Sequence, residues 1–122
     1  QIEVIIADEA TMQNLQVYHD YLNALADPRK ISEDEAGEII AKAKPVYYLT
    51  AGLHSPETGS PEMVMELAYR LAVSAAPMIQ DIRNNIITVF TPVAEPDGRD
   101  RVVDIYKYRS EHEGVGPSLT YW

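Results

Sequence analysis

The chain has 122 residues, the size of one domain, and its composition, 46% hydrophobic and 24% charged, is that of an ordinary globular protein. Its formal net charge of −9, with the basic residues scattered, argues against a nucleic-acid partner and against an anionic membrane surface. The longest apolar runs fall far short of the roughly 20 residues that a membrane-spanning helix needs. Since the sequence contains no cysteine, any metal site must use histidine and carboxylate ligands.

The first half of the chain predicts one strand and two helices. Residues 2–6 are β-branched and half alternating, which is typical of a short strand. Residues 11–26 place apolar side chains on one helical face, and Pro28 closes that segment. Ser32 and Glu35 form a capping-box pattern at the start of a second helix, which Pro45 ends.

The second half predicts two buried strands with a helix between them. Residues 46–53 and 86–91 are apolar almost throughout, as expected of strands that are covered on both faces. Ser60 and Pro61 have the pattern of an N-cap followed by the first residue of a helix. The other predicted features are an amphipathic turn at 78–82, a turn at 95–98, a short helix at 102–106 and irregular structure from Ser110 onward.

A strand, a helix and a second strand at this spacing form a βαβ unit, which predicts an α/β fold. We expect a mixed, largely parallel sheet with helices on both faces. The three predicted strands should share that sheet, with residues 46–53 and 86–91 parallel and central. Because sites in such sheets form at the carboxyl ends of strands, the loop after residue 53 and the loop at 95–98 should open at the same edge.

His54 and Glu57 stand three residues apart just after the first buried strand, in the sequence G-L-H-S-P-E. An imidazole nitrogen and a carboxylate oxygen are ligands that zinc accepts, and a tight loop could bring both to one ion. The pattern also has a simpler interpretation. His54 could cap the strand, and Glu57 could lie in solvent near the start of the next helix, where negative charge is favourable.

The order of these motifs resembles that of the zinc carboxypeptidases of the carboxypeptidase A type. In that family an H-x-x-E at a strand end supplies two zinc ligands, and a later strand ends in a motif close to N-P-D-G. This chain has H-S-P-E and, at the family's spacing, E-P-D-G-R-D-R, which is similar to the exported bacterial branch. The resemblance spans essentially the whole chain. Two positions depart from the pattern, because Pro56 replaces a substrate-contacting arginine and Glu95 replaces the asparagine.

The resemblance implies a metallocarboxypeptidase that hydrolyses the C-terminal residues of peptides with a zinc-activated water. His54 and Glu57 would be zinc ligands, and the cofactor would be Zn²⁺. Family members place a carbonyl-polarising arginine after the second loop, so Arg101 and Arg109 are candidate catalytic residues. Each could instead form a surface salt bridge with a neighbouring aspartate, namely Asp97, Asp100 or Asp104.

The third zinc ligand of the family, a histidine, and its catalytic glutamate lie far downstream, and no motif here corresponds to them. His19 on the first helix should be a boundary residue, and His112 should be exposed. We therefore expect residues 1–122 to be the amino-terminal portion of a longer catalytic domain, completed by further chain segments or a partner chain. The absence of an initiator methionine also indicates a processed product or a piece of a longer protein.

The expected partner is a peptide substrate, with no nucleic acid and no membrane, and the expected location is extracellular or periplasmic. The alternative is a catalytically inactive relative or fragment that serves as a binding or structural α/β domain.

Overall fold

A computed structural model describes residues 2–112 and Gly114. Within that part of the chain, three strands alternate with groups of helices. In chain order the elements are β1 (Val4–Ile6), α1 (Glu9–Gln13), α2 (Leu15–Ala26), α3 (Glu33–Ile40), β2 (Val46–Thr50), α4 (Gly59–Val73), α5 (Pro77–Asn85), β3 (Ile87–Thr91) and α6 (Pro96–Glu111). The predicted α/β class is confirmed. None of these helices is long and apolar enough to cross a membrane.

The chain divides into two compact units. The first unit takes its described residues from Gln1–Val4, Tyr48–Tyr69 and Phe90–Trp122. The second unit consists of Ile5–Tyr47 and Arg70–Val89. All residues proposed above as zinc ligands or catalytic arginines belong to the first unit, whereas His19 belongs to the second.

The three strands form one sheet in the order β1-β3-β2. The Ile87 amide donates to the Pro45 carbonyl at 3.0 Å, and the Ala51 amide donates to the Thr91 carbonyl at 3.0 Å. From the first of these bonds to the second, the residue number rises in both strands, from 45 to 51 and from 87 to 91. The strands β2 and β3 therefore run parallel, as predicted. The prediction that both are central is confirmed for β3 only, because β2 lies at an edge of the sheet that the described residues form.

The two predicted buried strands differ sharply in exposure. In β3, the side chains of Ile87, Thr88, Phe90 and Thr91 are buried, and Phe90 has an exposed fraction of 0%. In β2, only Leu49 is even half-buried, and Tyr47 is 60% exposed. The prediction that β2 is covered on both faces is therefore wrong within residues 2–112, because successive residues of a strand point to opposite faces and four of the five in β2 are exposed.

The predicted helix over 11–26 is interrupted at Asn14, which separates α1 from α2. The Asn14 side chain donates to the Ala10 carbonyl at 2.8 Å, and its backbone φ of −123° is not helical. Asparagine competes in this way for backbone hydrogen bonds, which is why it favours helix ends. The predicted capping box at Ser32 and Glu35 is confirmed in both of its hydrogen bonds.

The start of α1 carries a partly buried polar cluster that the sequence did not predict. Asp8 accepts from the Thr11 amide at 3.1 Å and from the Thr11 hydroxyl at 2.6 Å. Lys44 donates to the Asp8 carboxylate, and to the Thr11 hydroxyl at 2.6 Å. The Lys44 ammonium, followed by the Thr11 hydroxyl, holds the pKa of the Asp8 carboxyl well below its usual range.

The segment 95–98, predicted as a turn, is instead the start of a helix. Glu95 is the N-cap of α6, and Pro96 occupies the first helical turn, where its missing amide costs nothing. The short helix predicted at 102–106 is part of this 16-residue helix, which continues through Ser110 to Glu111. The irregular structure predicted from Ser110 onward is therefore wrong for these two residues. Beyond Gly114 it lies outside the described residues.

Candidate functional site

His54 and Glu57 are the first and last residues of a hydrogen-bonded turn that follows β2. The Glu57 amide donates to the His54 carbonyl at 3.0 Å. A four-residue turn of this kind holds its end Cα atoms within about 7 Å of each other. Both end residues are exposed, whereas Ser55 in the middle of the turn is 3% exposed. The backbone thus brings the two predicted zinc ligands together, and we call this segment the ligand turn (His54–Glu57).

A glycine sets the path of the chain into the ligand turn. Gly52 has a φ of +62°, in the left-handed region that side chains disfavour. A Cβ atom on Gly52 would lie 3.1 Å from Pro61 Cγ and 3.3 Å from Val93 Cα, which is tighter than ordinary contact. The Gly52 amide also donates to the Ser60 hydroxyl at 3.3 Å. Since α4 begins at Gly59, Ser60 lies inside the helix rather than at the predicted N-cap.

The loops after β2 and β3 are joined by backbone hydrogen bonds. The Ala94 amide donates to the Ala51 carbonyl at 2.9 Å, and the Glu95 amide donates to the Gly52 carbonyl at 3.1 Å. These bonds continue the pairing of β2 and β3 beyond the ends of both strands. The prediction that the two loops open at the same edge of the sheet is confirmed.

Side chains connect the same two loops. The buried Ser55 hydroxyl donates to Glu95 Oε2 at 3.1 Å, and the Gly98 amide donates to Glu95 Oε1 at 3.3 Å. A Cβ atom on Gly98 would lie 2.0 Å from Ser55 Oγ and 2.3 Å from Glu95 Oε2, so only glycine leaves room for this contact. From the sequence, Glu95 was only a departure from the family's asparagine. Its position directly before a proline is the signal that could have indicated an N-cap.

Both candidate catalytic arginines lie on α6. Arg101 is exposed and Arg109 is half-buried. With a rise of 1.5 Å per residue, Arg109 lies about 20 Å along the helix from Pro96, whereas Arg101 lies in its second turn. Arg99 is nearer the helix start, and its Nη2 is 4.0 Å from Glu62 Oε1. The exposure of Glu62 makes that ion pair weak. The catalytic roles of Arg101 and Arg109 stay predictions.

The other two histidines lie away from the ligand turn in the chain, and both are exposed. His19 Nδ1 is 3.1 Å from Asn23 Nδ2, one turn further along α2. His112 Nδ1 is 2.8 Å from the Tyr108 carbonyl oxygen, and its ring stacks on the Tyr108 ring with centroids 4.0 Å apart. The predicted exposure of His112 is confirmed, whereas the prediction that His19 is a boundary residue is wrong, because its side chain is 65% exposed.

The donor chemistry of the ligand turn fits zinc, since one imidazole and one carboxylate are the ligand types that zinc takes from a protein without cysteine. Among residues 2–112 and Gly114, however, no three histidine or acidic side chains are grouped so that they could hold a metal ion. The ligand turn therefore holds one residue of each of two types that zinc accepts, whereas a catalytic zinc site uses three protein ligands.

The fold and the ligand turn together define an α/β domain with paired metal-ligating residue types at the carboxyl end of a parallel strand, where such sheets form their sites. A comparison of the sequence with protein families identifies the family of this domain. The family model of the zinc carboxypeptidases matches residues 28–118, which include the ligand turn, Glu95 and both candidate arginines. The chain belongs to the zinc carboxypeptidase family. No curated protein and no solved structure matches it. The resemblance drawn from the sequence is confirmed, and the bacterial branch stays a prediction.

Proposed function

We propose that this chain contributes the zinc-ligand turn of a metallocarboxypeptidase, an enzyme that removes C-terminal residues from peptides. The observation that carries the proposal is the hydrogen-bonded turn from His54 to Glu57, directly after a parallel strand, in a chain of the zinc carboxypeptidase family. In this proposal the chain is the amino-terminal portion of a longer catalytic domain. Its third zinc ligand and its general base would come from further chain segments or a partner chain, since a catalytic zinc site uses three protein ligands and His54 and Glu57 would be two of them.

The residues of this chain would have distinct roles in the reaction. The His54 imidazole and the Glu57 carboxylate would hold zinc, and the turn that joins them would fix their separation. When bound, zinc supplies Lewis acidity, which polarises a carbonyl group and makes water more acidic. Arg101 or Arg109 would donate to the carbonyl oxygen of the substrate and so stabilise the negative charge that develops there. The peptide substrate and an extracellular or periplasmic location are parts of this proposal that rest on the family alone.

The proposal is tested by zinc titration of the metal-free chain, measured by calorimetry for the wild type, for His54→Ala and for Glu57→Gln. Each ligand variant should bind zinc at least about tenfold more weakly, since even the loss of a contact behind a ligand costs 10- to 100-fold. His112→Ala is the matched control, because it removes an exposed histidine outside the ligand turn and should leave the affinity unchanged. Equal zinc affinity in the wild type and in a His54→Ala, Glu57→Gln double variant would contradict the assignment.

The alternative is an inactive domain that binds or supports another protein, and it is equally compatible with described residues that form no group of three candidate ligands. The two functions are distinguished by assaying hydrolysis of a peptide with a free carboxyl terminus. In the main proposal, the 122-residue wild-type chain with zinc hydrolyses this peptide no faster than the His54→Ala variant does. Activity then appears when the missing segments are supplied. An assembled domain that carries all its ligands and still lacks activity supports the alternative. Turnover by the chain alone, abolished by His54→Ala, would mean that His19 or His112 completes the site.

A further inference from the structure

The ligand turn is held from its middle rather than from its ends. Ser55 is the residue next to His54, and its side chain points into the protein, with 3% of the residue exposed. Its hydroxyl donates to Glu95 Oε2 at 3.1 Å, across 40 residues of sequence. Holding this one hydroxyl in place therefore restricts the conformation of the whole turn, because a four-residue turn closed by a hydrogen bond has few free backbone dihedral angles.

Glu95 is itself fixed at three points. Its amide donates to the Gly52 carbonyl at 3.1 Å, two residues before the ligand turn. Its Oε1 accepts from the Gly98 amide at 3.3 Å, as the N-cap of α6, and its Oε2 accepts from Ser55. Gly98 leaves the space in which the two side chains meet, since a Cβ there would lie 2.0 Å from Ser55 Oγ. A carboxylate held in this way is a rigid support for the group that donates to it.

We propose that Glu95 is a positioning residue for the ligand turn: by accepting from Ser55, it fixes the separation and orientation of His54 and Glu57 for a metal ion. This inference rests on the proposed function, and it gives a role to the residue that departs from the family's asparagine. Residues behind metal ligands act in this manner, because a ligand that is already oriented loses less conformational freedom when the ion binds.

The test is zinc titration of the metal-free chain with variants that separate the two bonds of Glu95. Ser55→Ala removes the bond to the ligand turn and leaves the N-cap of α6 intact. Glu95→Ala removes both bonds, and Glu95→Gln keeps an oxygen for the Gly98 amide and an amide group that can donate to Ser55. Asp97→Ala is the matched control, since it removes an exposed carboxylate from the same helical turn. All titrations are made at a temperature where circular dichroism shows each variant folded as the wild type is.

We expect Ser55→Ala and Glu95→Ala each to weaken zinc binding by about 10- to 100-fold. The double variant should be no weaker than the weaker single variant, because both substitutions break the same link. Glu95→Gln should retain most of the affinity, and Asp97→Ala should retain all of it. A purely structural role would instead lower the unfolding temperature of the variants without changing zinc affinity in the folded chain.

The outcomes distinguish this inference from the proposed function on which it rests. If His54→Ala weakens binding while Ser55→Ala and Glu95→Ala do not, the ligand turn binds zinc and the role of Glu95 is refuted. If Glu95→Gln is as weak as Glu95→Ala, the effect comes from charge and the positioning role is also refuted. If the wild type binds no zinc, or binds it equally well as His54→Ala, both proposals fail.

Discussion

Replacing Gly98 by alanine should destabilise the protein, although alanine is the better helix former. Gly98 lies in the first turn of α6, and its φ is not in the left-handed region. In an open helical position the substitution would stabilise by about 0.5–1 kcal/mol. Here the new Cβ would lie 2.0 Å from Ser55 Oγ and 2.3 Å from Glu95 Oε2, distances that no carbon atom can hold. One or both side chains must therefore move away.

The cost follows from the hydrogen bonds that these side chains make. Losing the bond between Ser55 and the Glu95 carboxylate costs about 1.5–3 kcal/mol, the range for hydrogen bonds to charged groups. Losing the N-cap at Glu95 costs about 1 kcal/mol more if the carboxylate moves fully. The helix propensity of alanine offsets up to about 1 kcal/mol. The free energy of unfolding should therefore fall by about 1–3 kcal/mol.

Chemical denaturation of the wild type, Gly98→Ala and Gly37→Ala measures this difference. Gly37 is the matched control, because it lies within α3 and a Cβ there would meet nothing within 4 Å. Gly37→Ala should raise the free energy of unfolding by about 0.5–1 kcal/mol. If Gly98→Ala is stabilised to the same extent as Gly37→Ala, the contact between Ser55 and Glu95 does not exist in solution as described.

Two further predictions concern the sheet and the cluster at α1. Phe90→Ala should lower the free energy of unfolding by about 3–5 kcal/mol, because Phe90 is fully buried in β3. Tyr47→Ala, in the exposed strand β2, should change it by only about 0.5 kcal/mol. Similar changes in the two variants, measured by chemical denaturation, would contradict the described burial. Asp8 has a pKa below its ordinary 3.8 in the folded chain, so its ion pair with Lys44 stabilises above about pH 4, and that stabilisation is lost as the pH falls. The difference in unfolding free energy between the wild type and Asp8→Asn should therefore shrink from about pH 6 to about pH 2, and a constant difference would exclude the linkage.

Local patterns in the sequence were enough to predict the features that depend on neighbouring residues. The capping box at Ser32 and Glu35 needs only four residues of chain, and both of its bonds form. The ligand turn is equally local, since His54 and Glu57 are joined by a bond within four residues. The parallel pairing of β2 and β3 could also be predicted, because a strand, a helix and a strand at this spacing leave few other arrangements.

Features that depend on distant residues could not be predicted in this way. The bond from Ser55 to Glu95 joins residues 40 positions apart, and nothing in either local sequence specifies the other partner. The salt bridge of Asp8 with Lys44 joins residues 36 positions apart. The apolar sequence of β2 indicates a strand suited to burial, but its exposure depends on which elements pack on the two faces of the sheet. Within the described residues, β3 is its one neighbour in the sheet.

The contact among Ser55, Glu95 and Gly98 also constrains how this protein can change by mutation. Without the Glu95 carboxylate to accept its hydrogen bond, the buried Ser55 hydroxyl would lack its present partner. Without Gly98 beside it, the Glu95 carboxylate would have no room. An asparagine at position 95, as in the family pattern, is one methylene shorter than Glu95 and could not make the same two bonds from the same backbone. The three positions are therefore physically coupled, so a substitution at one of them should be tolerated better when the others change with it.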